Sequence, residues 1–105
     1  MPRLEAGALQ LPQRYLSMVK AVLQAQLPGV EVWAYGSRVN GDCYEASDLD
    51  LVAHHGGDMS ALWRAQEAFM DSDLPIQVQL VDWARIPVAF HAEIEAGYVV
   101  VQEAN

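Results

Sequence analysis

The segment VWAYGSRVNGDCYEASDLDLVAHH, residues 32–55, contains two apolar runs separated by a Gly-Ser pair and an acidic stretch. An apolar run rich in β-branched and aromatic residues ends at Gly36 and Ser37. After ten intervening residues, Asp48 and Asp50 begin a second apolar run. Side chains two positions apart on a strand point to the same face. The segment therefore predicts a strand, a sharp turn and a second strand that presents two carboxylates side by side.

Two adjacent carboxylates need a counter-charge, because like charges at this distance are unfavourable. Magnesium takes oxygen ligands and commonly binds through one or two carboxylates together with substrate phosphates. Two such ions can hold both oxygens of an in-line phosphoryl displacement. Asp42 and Glu45 add further negative charge nearby, so the segment is either a cation site or a solvated acidic loop.

The turn at Gly36 and Ser37 has the composition of a phosphate-binding turn. A strand that passes directly into a short helical segment, here residues 37–41, leaves backbone N–H groups pointing outward, and glycine allows a phosphate to approach closely. Ser37 is a candidate N-cap, and its hydroxyl can add a hydrogen bond. Either motif alone is more often a plain turn or strand end, but the two together at this spacing indicate a site for phosphate and a divalent cation.

The periodicity of the whole chain predicts one α/β (α+β) domain over residues 1–105. Its order is α-β-β-α-β-α-β, and the predicted elements span residues 12–27, 30–35, 48–54, 60–72, 76–83, 86–97 and 98–102. This order favours a small mixed β-sheet of about four strands flanked by helices, because two strands follow each other directly.

Composition excludes several classes of protein. With a net charge of −8 and five scattered arginines, the chain has no basic stripe, so we expect no binding of nucleic acid through charge. No apolar run reaches the length of a membrane span or a signal peptide, and the single Cys43 cannot form an internal disulfide. We therefore expect a cytoplasmic protein with no membrane partner.

The stretch GSRVNGDCYEASDLDL resembles the signature of the DNA polymerase beta-like nucleotidyltransferase superfamily, and the chain as a whole resembles the minimal nucleotidyltransferase (MNT) family. The resemblance implies that Gly36 and Ser37 bind the triphosphate of a nucleotide, with Arg38 beside them. Asp48 and Asp50 would be the catalytic carboxylates and the ligands of Mg²⁺, with two ions bound together with the nucleotide.

The same resemblance implies a reaction and a partner. Members of the family transfer a nucleotide, here AMP from ATP, to an acceptor hydroxyl. They often pair with a helical HEPN-domain protein, and some are antitoxins that transfer AMP onto a tyrosine of that partner. Several large apolar side chains, among them Trp63 and the valines of residues 98–101, independently suggest a homo-oligomer or a stable protein complex.

One position departs from the family pattern. The third acid of the metal site would fall at Gln79, which has no charge and cannot act as a base. Asp82 is expected on the opposite face of its strand. Three interpretations remain: an active nucleotidyltransferase, a catalytically inactive antitoxin or regulatory subunit with the same fold, and a domain whose acidic loop is only solvated.

Other residues have weaker expectations. Arg38 could contact phosphate, although a solvated side chain is the more common case. His54 shares its strand face with the aspartates and could line the cleft, although the stretch HHGG, residues 54–57, is more typical of a strand exit into a loop. His91 is expected on the surface, and Trp33 and Trp83 in the core or facing a partner.

Overall fold

A computed structural model describes residues 2–105 of the chain. The helices are α1 (Gln13–Gln26), α2 (Ser37–Asn40), α3 (Met59–Met70) and α4 (Val88–Glu95), and the strands are β1 (Arg3–Leu4), β2 (Val32–Tyr35), β3 (Leu49–Ala53), β4 (Val78–Asp82) and β5 (Tyr98–Gln102). Single 3₁₀ turns lie at Ala6–Ala8 and Trp83–Arg85. None of these helices is long and apolar enough to cross a membrane.

The strands form one mixed sheet in the order β1-β5-β2-β3-β4. β2 is antiparallel to both β3 and β5, while β3–β4 and β1–β5 are parallel pairs. The predicted mixed sheet between helices is confirmed. The fifth strand, β1, was not predicted, because its two residues are too few to show an alternating pattern.

The main core lies between one face of the sheet and helices α1 and α3. Alternate residues of the central strands point into it, and the side chains of Leu49 and Leu51 are fully buried there. They belong to the same buried cluster as Val19 and Leu23 of α1. The sites for the carboxylates arise from this packing, because burying one set of alternate β3 residues turns Asp50 to the other face.

The opposite face of the sheet is covered by α4 and a layer of aromatic rings. Trp33 stacks on Tyr98 at 3.8 Å between ring centroids and lies 4.1 Å from His54 and 5.4 Å from Trp83. His91 of α4 stacks on Trp83 at 3.8 Å. The expectation that His91 lies on the surface is therefore wrong, because its ring packs against Trp83. His54 follows the last residue of β3, at the strand exit that the sequence favoured, and its ring packs against Trp33.

The outer edge of β4 is closed by a side chain rather than by another strand. The Gln66 amide of α3 donates through Nε2 to the Val78 carbonyl at 2.7 Å and accepts at Oε1 from the Leu80 N–H at 3.0 Å. It thereby replaces the backbone of a missing neighbour. Unpaired strand edges promote association with other chains, so Gln66 both stabilises β4 and protects its edge.

Replacing Gln66 by methionine should lower the free energy of unfolding by about 1–2 kcal/mol, since each lost hydrogen bond contributes about 1 kcal/mol. It should also increase self-association through the exposed β4 edge. Urea denaturation and light scattering measure the two effects, and Glu67→Met on the exposed side of α3 is the matched control. Equal stability of the two variants would contradict this role of Gln66.

Candidate active site

The turn after β2 has a backbone conformation that only glycine adopts readily. Gly36 has φ 83° and ψ −152°, a region nearly closed to other residues. A Cβ atom placed on Gly36 would lie 2.7 Å from Oδ2 of Asp50, which is closer than any real contact of that kind. The turn and the Asp50 carboxylate are therefore in direct contact, and glycine is required by both the backbone and this neighbour.

Helix α2 starts immediately at this turn. The Gly36 carbonyl accepts hydrogen bonds from the N–H groups of Val39 at 2.9 Å and Asn40 at 3.0 Å, so Gly36 is the N-cap. The prediction that Ser37 is the N-cap is wrong, because Ser37 is already the first residue of the helix. The first N–H groups of a helix have no acceptor within it. These N–H groups lie at the turn that contacts Asp50.

The two predicted carboxylates lie at the start of β3. Asp50 is half-buried and stands between Tyr35 on β2 and Gln79 on β4 in the strand register, while Asp48 immediately precedes the strand and is exposed. Burial and, secondly, the charge of Asp48 raise the pKa of Asp50 above its ordinary value. Burial and the charge of Asp50 raise the pKa of Tyr35 to about 12.

No basic side chain neutralises this pair within residues 2–105, whose ion pairs join Arg3 to Glu103 and Arg85 to Asp82. The site is thus a pair of hard oxygen donors with uncompensated negative charge. That donor set fits Mg²⁺, which completes its coordination with phosphate and water oxygens when protein supplies only one or two carboxylates.

The third-acid position lies where the register prediction puts it. Gln79 is the direct neighbour of Asp50 across the β3–β4 pair, and it is exposed. Among the described residues no third acidic, histidine or cysteine side chain joins the pair to form a metal-binding group. The pair therefore has a neutral amide, not a carboxylate, at its side.

Asp82 does not substitute for the missing acid. It is 3% exposed, and its carboxylate accepts hydrogen bonds from the N–H groups of Gly56 at 3.2 Å and Ala84 at 3.3 Å and pairs with Arg85. Burial opposes ionisation of Asp82, but these hydrogen bonds and the Arg85 charge lower its pKa. Its role is to fix the two loops that it joins.

Arg38 has a different place from the predicted one. It is 4% exposed, and its guanidinium donates hydrogen bonds to backbone carbonyls of Gln10, Tyr44, Glu45 and Ser47. The expectation of a solvated side chain is therefore wrong, because the guanidinium is buried and donates to backbone carbonyls.

A cleft of about 370 Å³ opens beside Gly36 and Asp50. Its walls come from the turn region and from α4, and they consist of Tyr35, Gly36, Asn40, Asp50, Phe90, Glu93 and Ile94. The wall from α4 was missed in the sequence, because nothing local links residues 90–94 to the turn. Tyr35 could have been found, since it directly precedes Gly36.

Replacing Asp50 by asparagine should raise the melting temperature of the metal-free protein at pH 7 by a few degrees. Because the pKa of Asp50 is raised in the folded state, ionisation of this group destabilises the fold. The gain should therefore shrink as the pH falls through the folded pKa and the wild-type carboxyl becomes neutral. Thermal melts in a chelating buffer measure it.

The control for that experiment is Asp42→Asn, which makes the same change in net charge in the exposed loop. If the two variants have the same melting temperature at every pH, the ionised Asp50 carboxylate does not destabilise the fold.

The comparisons with known proteins agree with this geometry. Residues 16–101 match the family described as "Nucleotidyltransferase domain". The chain is 43% identical over 97 residues to the "Probable protein adenylyltransferase MntA" of Haemophilus influenzae, with 90% of this chain and 85% of that protein covered.

Solved structures share the fold. A toxin–antitoxin complex crystallised with AMP-PNP superposes with a TM-score of 0.69 at 18% identity, covering 86% of this chain and 74% of the other. The complex of a tri-AMPylated HEPN toxin with its MNT antitoxin from Shewanella oneidensis gives a TM-score of 0.58 at 18% identity, covering 90% and 74%. On the family match, the sequence relative and the shared fold, this chain belongs to the minimal nucleotidyltransferase family of nucleotidyltransferase-domain proteins.

Proposed function

We propose that this chain is a Mg²⁺-dependent protein adenylyltransferase that moves AMP from ATP to a hydroxyl group of a HEPN-type protein partner. The observation that supports the proposal most strongly is the direct contact between the Gly36 turn and the Asp50 carboxylate, 2.7 Å from a Cβ placed on that glycine. The turn is suited to phosphate and the carboxylate to a cation. Because the two are adjacent, together they fit a ligand that contains both groups, such as a magnesium-bound triphosphate.

Each residue then has a defined role. Asp48 and Asp50 would hold Mg²⁺, which when bound neutralises phosphate charge and polarises the phosphoryl oxygens. The backbone at Gly36 and the hydroxyl of Ser37 would hold the phosphates that leave. The cleft lined by Tyr35, Phe90 and Glu93 would admit the rest of the nucleotide. Most of the rate enhancement would come from position and charge stabilisation.

The reaction is an in-line displacement. An oxygen of the acceptor hydroxyl forms a bond to the α-phosphorus, the bond from that phosphorus to the bridging oxygen of the β-phosphate breaks, and pyrophosphate leaves. The acceptor also loses a proton. Gln79 beside Asp50 cannot take that proton, since an amide has no basic site of suitable strength. The proton would therefore pass to solvent water, and we expect nucleotide binding with slow transfer.

The acceptor is inferred from the relatives. The Haemophilus influenzae protein is named a probable protein adenylyltransferase, and the Shewanella oneidensis complex contains a HEPN toxin bearing AMP. A HEPN partner for this chain would supply the hydroxyl group.

A second function is favoured by Gln79. With an amide at the third-acid position, the chain would bind its partner and nucleotide but not transfer AMP, and would act as an antitoxin or regulatory subunit by contact alone. Incubation with ATP labelled at the α-phosphate, Mg²⁺ and the protein encoded by the neighbouring gene distinguishes the two functions. Label on the partner supports the enzyme, and complex formation without label supports the second function.

Mg²⁺ with α,β-methylene-ATP, which cannot release pyrophosphate, should raise the melting temperature of the protein. A ligand at about one hundred times its Kd stabilises the folded state by about 2.7 kcal/mol. Asp50→Ala should lose most of this rise, measured against its own ligand-free melt, whereas Asp42→Ala in the exposed loop should keep it. A full rise in Asp50→Ala would remove Asp50 from the site.

Gln79→Glu should increase the rate of AMP transfer by a factor of roughly 10² or more, the usual scale for one acid–base group. The measurement is the initial rate of labelling of the partner protein. Gln24→Glu on the exposed side of α1 makes the same charge change away from the site and should have no effect. Fast transfer by the wild type, unchanged in Gln79→Glu, would mean that the reaction needs no carboxylate at this position.

A further inference from the structure

The guanidinium of Arg38 links helix α2 to two other parts of the chain. Nη1 donates to the Gln10 carbonyl at 2.7 Å, Nε to the Ser47 carbonyl at 3.0 Å, and Nη2 to the carbonyls of Glu45 at 3.0 Å and Tyr44 at 3.4 Å. In return, the Arg38 carbonyl accepts from the Gln10 N–H at 2.7 Å. One buried side chain therefore fastens the segment before α1 and the loop that precedes β3 to the same helix.

These carbonyls are the main compensation for a buried charge. Arg38 is 4% exposed, and no carboxylate forms an ion pair with it within residues 2–105. A buried cation without hydrogen-bond partners is strongly unfavourable. Movement of residues 44–47 away from the guanidinium would leave the Gln10 carbonyl as its one remaining acceptor among those named, so the burial of Arg38 favours the observed position of the loop.

The loop is also closed on itself. The Ser47 N–H donates to the Tyr44 carbonyl at 3.0 Å, and the Tyr44 N–H donates to Oγ of Ser47 at 2.9 Å. Ser47 is itself buried, at 9% exposed. Residues 44–47 thus form a compact turn, which the Arg38 guanidinium holds as one unit.

The position that this unit determines is that of Asp48. The Ser47 carbonyl bonded to Arg38 belongs to the peptide group that joins Ser47 to Asp48, and the next N–H, that of Leu49, donates to the Gln77 carbonyl at 2.9 Å. The backbone of Asp48 is consequently fixed on both sides, although its side chain is exposed. Without Arg38, only the β4 side would remain.

We propose that Arg38 is a positioning residue that sets the distance between the Gly36–Ser37 turn and Asp48. It follows Ser37 directly in α2, so the helix that would hold the phosphates also holds the loop that places an acidic ligand. The proposal deepens the proposed function and rests on it for the roles of the turn and of Asp48, whereas the hold of Arg38 on the loop is a separate property.

Hydrogen exchange tests that hold without any ligand. In Arg38→Met, the amides of residues 42–48 should exchange at least 10-fold faster than in the wild type, while those of β2, β3 and β5 keep their protection. Arg64→Met on the exposed side of α3 is the matched control and should exchange as the wild type does. Unchanged exchange in the loop would overturn the proposal, because Arg38 would then not hold the loop. Faster exchange throughout the sheet would also overturn it, because Arg38 would then stabilise the whole fold and not the loop in particular.

Nucleotide titration tests the consequence for the site. Calorimetric titrations with α,β-methylene-ATP are run once with Mg²⁺ and once with a chelator. The titration in chelator measures the affinity for the nucleotide alone, and the difference between the two measures how much the metal increases that affinity. In Arg38→Met, the factor by which Mg²⁺ increases nucleotide affinity should fall at least 10-fold, because Asp48 is displaced. The affinity in the chelator should stay within about 2-fold of the wild type, because Gly36 is not displaced. If the loop of Arg38→Met exchanges fast but Mg²⁺ still increases its nucleotide affinity as much as in the wild type, the proposal is overturned.

Two further variants cover the case in which Arg38→Met does not fold. Arg38→Lys retains the charge but has one compact donor group in place of the fork, and should give intermediate loop exchange and intermediate metal-dependent affinity. Ser47→Ala removes the Oγ contact without disturbing the buried charge, and should also speed exchange of residues 42–48. If both variants exchange as the wild type does, the proposal is wrong. If the wild type binds no nucleotide, the proposed function fails, and the exchange data alone decide whether Arg38 holds the loop.

Discussion

The contact between Gly36 and the carboxylate of Asp50 is the constraint around which the site is arranged. It joins the end of β2 to the neighbouring β3 at a distance that leaves no room for a side chain on the turn. The antiparallel register that pairs Tyr35 with Asp50 produces this proximity, and the burial of Leu49 and Leu51 in the main core fixes that register. A shift of one residue would turn the aspartate into the core, so the packing of the hydrophobic side of β3 determines the chemistry of its other side.

The distribution of charge around that contact is equally specific. Two carboxylates share the start of β3 without a basic partner among residues 2–105, and the one arginine nearby in sequence, Arg38, points the other way into the backbone of the preceding loop. The buried Arg38 guanidinium therefore does not neutralise Asp48 or Asp50. The acidic pair therefore keeps its negative charge, while the Arg38 guanidinium donates to the carbonyls of the preceding loop.

Most of the fold and the centre of the site could be predicted from local patterns in the sequence. The alternation of β3 gave the shared face of Asp48 and Asp50, and the parity of β4 put Gln79 beside them and Asp82 away from them, because strand periodicity is a local property. The burial of Arg38 could not be predicted, since charged residues are usually solvated and its acceptors include the carbonyl of Gln10, which is distant in sequence. The packing of His54 and His91 against tryptophans and the wall that α4 gives to the cleft were missed for the same reason. They depend on contacts between elements that no local pattern encodes.

We propose that one site, formed by the Gly36 turn and the start of β3, binds a metal–nucleotide complex. Paramagnetic broadening of amide resonances by Mn²⁺ in the presence of α,β-methylene-ATP tests it most directly, because the broadening falls off steeply with distance from the ion. Loss of signal is expected to centre on Gly36, Ser37 and Asp48 to Asp50 and to extend to Gln79, with the signals of α1 retained. Broadening centred on Asp42 and Glu45 in the exposed loop, with the Gly36 and Asp50 signals intact, would show that the acidic loop only attracts cations and that the metal–nucleotide complex does not bind at the Gly36 turn.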